Sequence, residues 1–168
     1  MTGILYVDIN LISHPPTGPN IMDTTVTNLD LQSDAERFVA DCLQAINSSD
    51  LDAIAAHYDE AVVAFDAIGP LQISGREAYL AHWKTCMEMC SNMSFEPHAL
   101  SVQASGDLLM AHCLANCVGA DAEGNPQSGW VRMSLTARRT PAGWRIIHDH
   151  FSLPFDPVSM KAQVEATP

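Results

Sequence analysis

Basic side chains are scarce in this chain, which has 8 lysines and arginines against 20 aspartates and glutamates and a net charge of −12. Within residues 1–60 the only lysine or arginine is Arg37. Nucleic acids and anionic membranes attract proteins through clusters of positive charge. The scarcity therefore argues against both as partners, and the excess of acid favours solubility.

Long apolar runs and a regular cysteine framework are also missing. The apolar stretch from Ile4 to Ile12 is interrupted by Asp8 and Asn10, is too short to cross a bilayer and follows no positively charged leader. The five cysteines are odd in number and scattered, unlike the disulfide framework of a small secreted scaffold. We therefore expect a cytoplasmic protein.

The chain contains no phosphate loop, dinucleotide fingerprint, Gly-x-Ser-x-Gly elbow or calcium loop, and no HExxH or CxxC metal motif. We therefore expect neither a cofactor nor a metal. His82, Cys86 and Cys90 share one stripe of a predicted helix, but its ends lie about 12 Å apart, too far for one ion. We interpret that stripe as helix surface and core edge.

The length of 168 residues and the hydrophobic content of 47% suit one domain with a sizeable core. Residues 1–32 show no helical or strand period and are interpreted as an N-terminal arm. The sequence Ser33-Asp34-Ala35-Glu36 is a capping box that predicts the start of a helix. We expect a single domain over residues 33–157 and a tail over residues 158–168.

Three helices and a run of strands are predicted. Asp50 caps a short second helix, Val62 to Ile68 forms a strand, and Gly75 introduces a long helix ending near Ser91. Four further strands follow, over Ser94 to Ala104, Leu108 to Val118, Ser128 to Arg139 and Trp144 to Phe155. Helices segregated from an antiparallel sheet indicate an α+β fold.

The last predicted strand, WRIIHDHFSLPF, combines two imidazoles and a carboxylate with aromatic and β-branched residues. Such a strand is typical of a pocket wall. Strict alternation gives it two faces, one with Trp144, Ile146, His148 and His150 and the other with Arg145, Ile147, Asp149 and Phe151. Which of the two faces lines the pocket stays open.

Two segments carry a resemblance to a known family. They are AVVAFDAIGPLQISGREAYLAHW, with Phe65-Asp66 before an aromatic helix, and the last strand, with His148-x-His150-x-Ser152 after its tryptophan. Together with the element order they resemble the nuclear transport factor 2-like superfamily over about Ser33 to Pro157. Within it the chain is most similar to SnoaL-like small proteins and to the association domain of calcium/calmodulin-dependent protein kinase II.

The resemblance implies a cone in which a strongly curved antiparallel sheet wraps around the long helix, with two further N-terminal helices and a pocket at the open end. It also implies a homodimer, which is common among relatives. Those relatives include isomerases, cyclases, dehydratases and non-catalytic binding modules, so the fold does not give the function. The chain departs from the association domain where Phe151 stands in place of a pocket arginine, and Arg132 is the nearest substitute.

Asp66, His148 and His150 are the candidate catalytic residues. Asp66 ends an apolar run, and desolvation in a pocket would make it a proton shuttle; the alternative is a solvated aspartate in the turn before Gly69. The two histidines are candidate acid/base groups beside Asp66. They could instead chelate a metal, which needs a third protein ligand, or satisfy structural partners in the sheet.

Aromatic and polar side chains around the expected pocket are candidate ligand contacts. These are Tyr58, Phe65, Tyr79, Trp83, His112, Trp130, Arg132 and Phe151. The strand from Leu108 to Val118 has a face of small residues that would leave room for a ligand if it points inward.

Two hypotheses follow. The first is a cofactor-free enzyme that isomerises, cyclises or dehydrates a small apolar carbonyl or hydroxyl compound, with Asp66 as base and a histidine of the last strand or Tyr79 as proton donor. The second is a non-catalytic ligand-binding or homo-oligomerising association module that dimerises through the outer face of the sheet.

Overall fold

The computed structural model describes residues 27–168, so the part of the predicted arm within residues 1–26 lies outside the described residues. The helices are α1 Asn28–Ser48, α2 Leu51–His57 and α3 Arg76–Met89. The strands are β1 Tyr58–Phe65, β2 Ile73–Ser74, β3 Ser91–Ser105, β4 Leu108–Ala120, β5 Pro126–Thr140, β6 Gly143–Ser152, β7 Phe155–Asp156 and β8 Lys161–Ala162.

Helix α1 begins earlier than the sequence pattern predicts. The capping box forms between Thr27 and Asp30: the Thr27 hydroxyl accepts the Asp30 N–H at 3.1 Å, and the Asp30 carboxylate accepts the Thr27 N–H at 3.3 Å. The predicted start at Ser33 is therefore wrong, because an equivalent box stands upstream and Leu31 adds a buried apolar contact there. Residues 28–32 are helix.

The Asp50 cap of α2 is confirmed, and it supports a stability prediction. The Asp50 carboxylate accepts the backbone N–H groups of Asp52 at 3.0 Å and Ala53 at 3.1 Å. Asp50→Ala should lower the free energy of unfolding by about 1 kcal/mol in urea titrations, because these N–H groups lose their partner. Asp41→Ala, at an exposed position of α1, is the control and should change it by less than about 0.5 kcal/mol.

The six-stranded sheet has the order β2-β1-β6-β5-β4-β3. Strands β3 to β6 form an antiparallel meander, as predicted, whereas β1 runs parallel to β6, so the sheet is mixed. Register shifts within β3 and β6 mark the bulges that bend the sheet. The α+β cone predicted from the sequence is confirmed.

A bulge at Ile147 reverses the faces of the last strand. Ala137 pairs with Ile146 and Thr136 pairs with His148, which leaves Ile147 without a partner on β5. Each extra residue shifts the alternation by one, so the inner face carries Trp144 and Ile146 before the bulge and Asp149 and Phe151 after it. The predicted shared face of Trp144, Ile146, His148 and His150 is therefore wrong.

The core lies between the inner face of the sheet and the helices. Helix α1 packs on β3, and α3 contributes Tyr79 and Trp83. On β4 the inner face is the small one, with Ala111, Cys113 and Ala115 buried. Within residues 27–168 no helix has both the length and the apolar character needed to cross a membrane.

Candidate functional site

An apolar cavity of about 310 Å³ lies between α3 and the inner face of the sheet. Its volume is at the lower end of the range for small-molecule sites. Side chains from α3, from β3 to β6 and from the loop after β1 form the wall, and Val164 of the C-terminal segment joins them. The lining residues are Asp66, Ala67, Ile68, Trp83, Cys86, Cys90, Met93, Phe95, Cys117, Val118, Gly119, Gln127, Ser128, Gly129, Val131, Phe151, Leu153 and Val164.

Three aromatic rings form one side of this cavity. Trp83 lies 6.1 Å from Phe95 and 5.9 Å from Phe151 between ring centroids, and the two phenyl rings are 5.8 Å apart. Edge-to-face pairs at these separations are mutually attractive. The Trp83 Nε1 group is buried and has no hydrogen-bond partner among the described residues. The rings present a preformed hydrophobic surface to a ligand.

Asp66 supplies the carboxylate of the cavity wall and pairs with His82. The two side chains are each 12% exposed, and His82 Nε2 lies 3.3 Å from Asp66 Oδ2. The other carboxylate oxygen accepts the Ile68 N–H at 3.2 Å. A carboxylate has about four acceptor sites, so both contacts leave capacity for a proton or a ligand hydroxyl.

Tyr79 and Gly69 both lie close to the His82 imidazole. Tyr79 stacks on it with ring centroids 6.1 Å apart and an interplanar angle of 12°. Gly69 lies close to the imidazole edge, and a Cβ at that position would stand 3.2 Å from His82 Cε1. Gly69 also has a φ of 86°, which side chains disfavour. The close approach and the backbone both require glycine here.

Beneath the aromatic rings lies a buried polar cluster. Asp149 Oδ2 accepts the hydroxyls of Tyr58 at 2.6 Å and Tyr79 at 3.2 Å, while Oδ1 accepts the His150 N–H at 3.0 Å. Burial raises the pKa of Asp149 to about 6, the charge of Asp66 adds to the rise, and the hydrogen bonds oppose it. Burial beside this carboxylate also raises the pKa of both tyrosines.

The cysteines of the cavity wall are free thiols. Burial raises the pKa of Cys86 to about 11 and of Cys117 to about 12. Since the thiolate is the nucleophilic form, these side chains act as small apolar groups near neutral pH. Among residues 27–168, no group of three or more potential metal ligands is positioned to hold an ion.

Three of the sequence-predicted site residues line the cavity: Asp66, Trp83 and Phe151. Tyr58 and Tyr79 are buried in the polar cluster below it. The structure thus brings the carboxylate and two aromatic side chains together at one cavity and places the two tyrosines behind them.

The remaining predicted residues lie on the outer face of the sheet, so they do not line the cavity: Phe65, His112, Trp130, Arg132, His148 and His150. His148 Nδ1 is 2.8 Å from the Val63 carbonyl oxygen, a structural contact. A second cavity, of about 660 Å³, shares Asp66 and also includes Phe65 and His150.

Sequence reasoning missed two residues of the site. The helix pattern predicts helix surface and core edge for His82, because nothing in that pattern reveals that the loop after β1 folds back onto it. Asp149 was assigned only to one of two possible inner faces, because strict alternation hides the bulge. The one usable signal was the carboxylate itself, an unusual residue between apolar positions of a strand.

Known proteins match the chain in sequence and in fold. Residues 35–156 match the family model described as a SnoaL-like domain. An NTF2-like protein of unknown function from Pseudomonas putida KT2440 is 39% identical, with 82% of this chain and 96% of that chain covered and a TM-score of 0.74.

A more distant structure is a ketosteroid isomerase-like protein from Erwinia carotovora atroseptica, 19% identical, with 72% of this chain and 94% of that chain covered and a TM-score of 0.62. This likeness concerns the fold alone. No curated protein matches the chain. The chain belongs to the SnoaL-like domain family of the nuclear transport factor 2-like proteins.

Proposed function

We propose that the protein is a cofactor-independent isomerase or lyase that moves a proton on a small apolar carbonyl or hydroxyl compound. The observation that carries the proposal is a nearly buried carboxylate, Asp66, in the wall of an otherwise largely apolar cavity. A carboxylate shielded from water in this way is a suitable general base.

Asp66 takes a proton from the carbon between the substrate carbonyl and a β,γ carbon–carbon double bond, which leaves a dienolate, and returns the proton to the γ-carbon, so that the double bond moves into conjugation with the carbonyl. No electron acceptor or second substrate is needed for this isomerisation. His82 orients the carboxylate through Oδ2, and the aromatic rings hold the carbon skeleton. Gln127, four residues before Val131 on β5 and therefore on the same face, supplies a polar side chain in this wall that suits the substrate oxygen. His82 replaces the last-strand histidines as the imidazole beside the base.

The test uses 2-tetralone, a compact apolar ketone with acidic α-protons, as the probe. We expect the protein to accelerate exchange of these protons in deuterium oxide, followed by proton NMR. Asp66→Asn should slow the catalysed exchange at least about 100-fold, because the amide is not a base. Displacement of the neutral dye N-phenyl-1-naphthylamine should show that tetralone still binds.

The matched control is Glu88→Gln, which neutralises an exposed carboxylate on the same helix as His82. It should exchange tetralone at the wild-type rate. A wild-type rate in Asp66→Asn would contradict the role of this carboxylate, and wild-type exchange no faster than buffer would contradict the activity.

We also propose that the outer face of the sheet forms a homodimer. Phe65, Leu108 and Met110 are exposed large apolar residues on that face, with Met110 53% exposed. Exposed apolar sheet surface is typical of an interface. Met110→Lys should convert a dimer to a monomer in sedimentation velocity at micromolar concentration, whereas Val158→Lys, at an exposed site in the C-terminal segment, should not. A monomeric wild-type protein would contradict the proposal.

A further inference from the structure

Asp149 is the one charged side chain among the buried residues of the described chain, at 2% exposure. Its neighbours on the inner face of β6 are Ile146 and Phe151, and an apolar residue there would avoid the cost of burying a carboxylate. The bulge at Ile147 is what turns Asp149 inward. The fold therefore directs a costly group to a position just below the cavity.

The cluster around Asp149 leads to the proposed base through two residues of α3. The Tyr79 hydroxyl donates to Asp149 Oδ2, and the Tyr79 ring stacks on His82. His82 in turn contacts Asp66 Oδ2. The Tyr79 ring lies nearly parallel to the imidazole, at an interplanar angle of 12°, and so limits the plane in which His82 presents Nε2.

We propose that Asp149 is a positioning residue, which anchors Tyr79 so that His82 is held against Asp66. The proposal rests on the proposed function for its kinetic part only. Asp149 does not line the cavity, so it acts on the chemistry without touching the substrate.

The surroundings of Asp149 make its positioning role depend on pH. The titratable groups that face it are Tyr58 from β1, Tyr79 from α3, Cys42 from α1 and, farther away, Asp66. Burial keeps the tyrosines and Cys42 neutral near pH 7, so Asp149 is the member of the buried cluster whose charge changes near pH 6.

The sign of the effect follows. Burial raises the pKa of Asp149 to about 6, so the residue becomes negative as the pH rises through that value. The ionised carboxylate accepts the Tyr79 hydroxyl in a stronger, charge-assisted hydrogen bond and so holds His82 against Asp66 more firmly. We therefore expect the rate of tetralone exchange to rise in a step near pH 6 in the wild type, and this step should be absent in Asp149→Asn.

A ligand-free measurement tests the mechanical part. The side-chain ¹⁵N resonances of His82 should move in Asp149→Asn and in Tyr79→Phe at constant pH. Glu88→Gln is the matched control, because it changes an exposed carboxylate on the same helix that lies outside the Asp149 cluster, and it should leave those resonances close to wild type.

The outcomes separate the two proposals. Shifted His82 resonances without any wild-type exchange would support the coupling and reject the activity. Unchanged His82 resonances together with an unchanged pH step in Asp149→Asn and Tyr79→Phe would overturn the positioning role. If Asp149→Asn does not fold, the His82 resonances of Tyr79→Phe, which keeps the carboxylate, decide whether the positioning role holds.

Discussion

As the pH rises from about 4 to about 7, the difference in free energy of unfolding between Asp149→Asn and the wild type is expected to shift by about 3 kcal/mol in favour of the variant. Burial raises the pKa of Asp149 from 3.8 to about 6. Each unit of difference between the folded and unfolded states corresponds to about 1.36 kcal/mol. Asparagine does not titrate, so the variant lacks this dependence on pH.

The direction follows from proton binding. Between the two pKa values the folded protein holds the Asp149 proton and the unfolded chain has lost it, so the native state is favoured at low pH. Stability from this group is complete below pH 3.8 and is lost as the pH rises through about 6. Above that range the wild type carries the whole cost of a buried charge.

Urea titrations of both proteins at several pH values check this prediction. The difference between their free energies of unfolding should change by about 3 kcal/mol across the range. Hydrogen bonds lost in the asparagine variant shift its whole curve by a constant amount and do not alter this change. Asp52→Asn, at an exposed site in the first turn of α2, should follow the wild-type curve. Parallel curves for Asp149→Asn and the wild type would show that Asp149 has no raised pKa.

The fold was largely predictable because its signals are local. The Asp50 cap, Gly75 before an aromatic helix and the polar turns between long strands each act within a few residues. The start of α1 failed for the same reason: two capping boxes stand close together, and local chemistry alone does not rank them. The burial of Leu31 depends on tertiary packing, which the local pattern does not contain.

The site was less predictable because it depends on one unpaired residue. Alternation along β6 is correct up to Ile146, and the bulge at Ile147 then exchanges the faces. His148 and His150 consequently point away from the cavity, and Asp149 points toward the core. Asp66 was identified because it ends an apolar strand, whereas its partner His82 comes close only through the turn at Gly69.

Val131→Phe is the second prediction, and it tests the cavity itself. Val131 lies on the inner face of β5 and lines the cavity, and it is not part of the Asp149 cluster. A phenyl ring there would occupy part of the 310 Å³ that a ligand needs. Affinity for N-phenyl-1-naphthylamine should fall at least about 30-fold, equivalent to about 2 kcal/mol.

The free energy of unfolding should change less than in an ordinary core enlargement. Overpacking a filled core costs about 1–3 kcal/mol, but this ring enters existing space, so the free energy of unfolding should stay within about 1 kcal/mol of the wild type. Val131→Ala is the matched variant: it enlarges the cavity, should retain dye binding and should lower stability. Undiminished dye binding in Val131→Phe would place the ligand elsewhere, whereas a loss confined to that variant identifies the space between the Trp83 ring and β5 as the binding site.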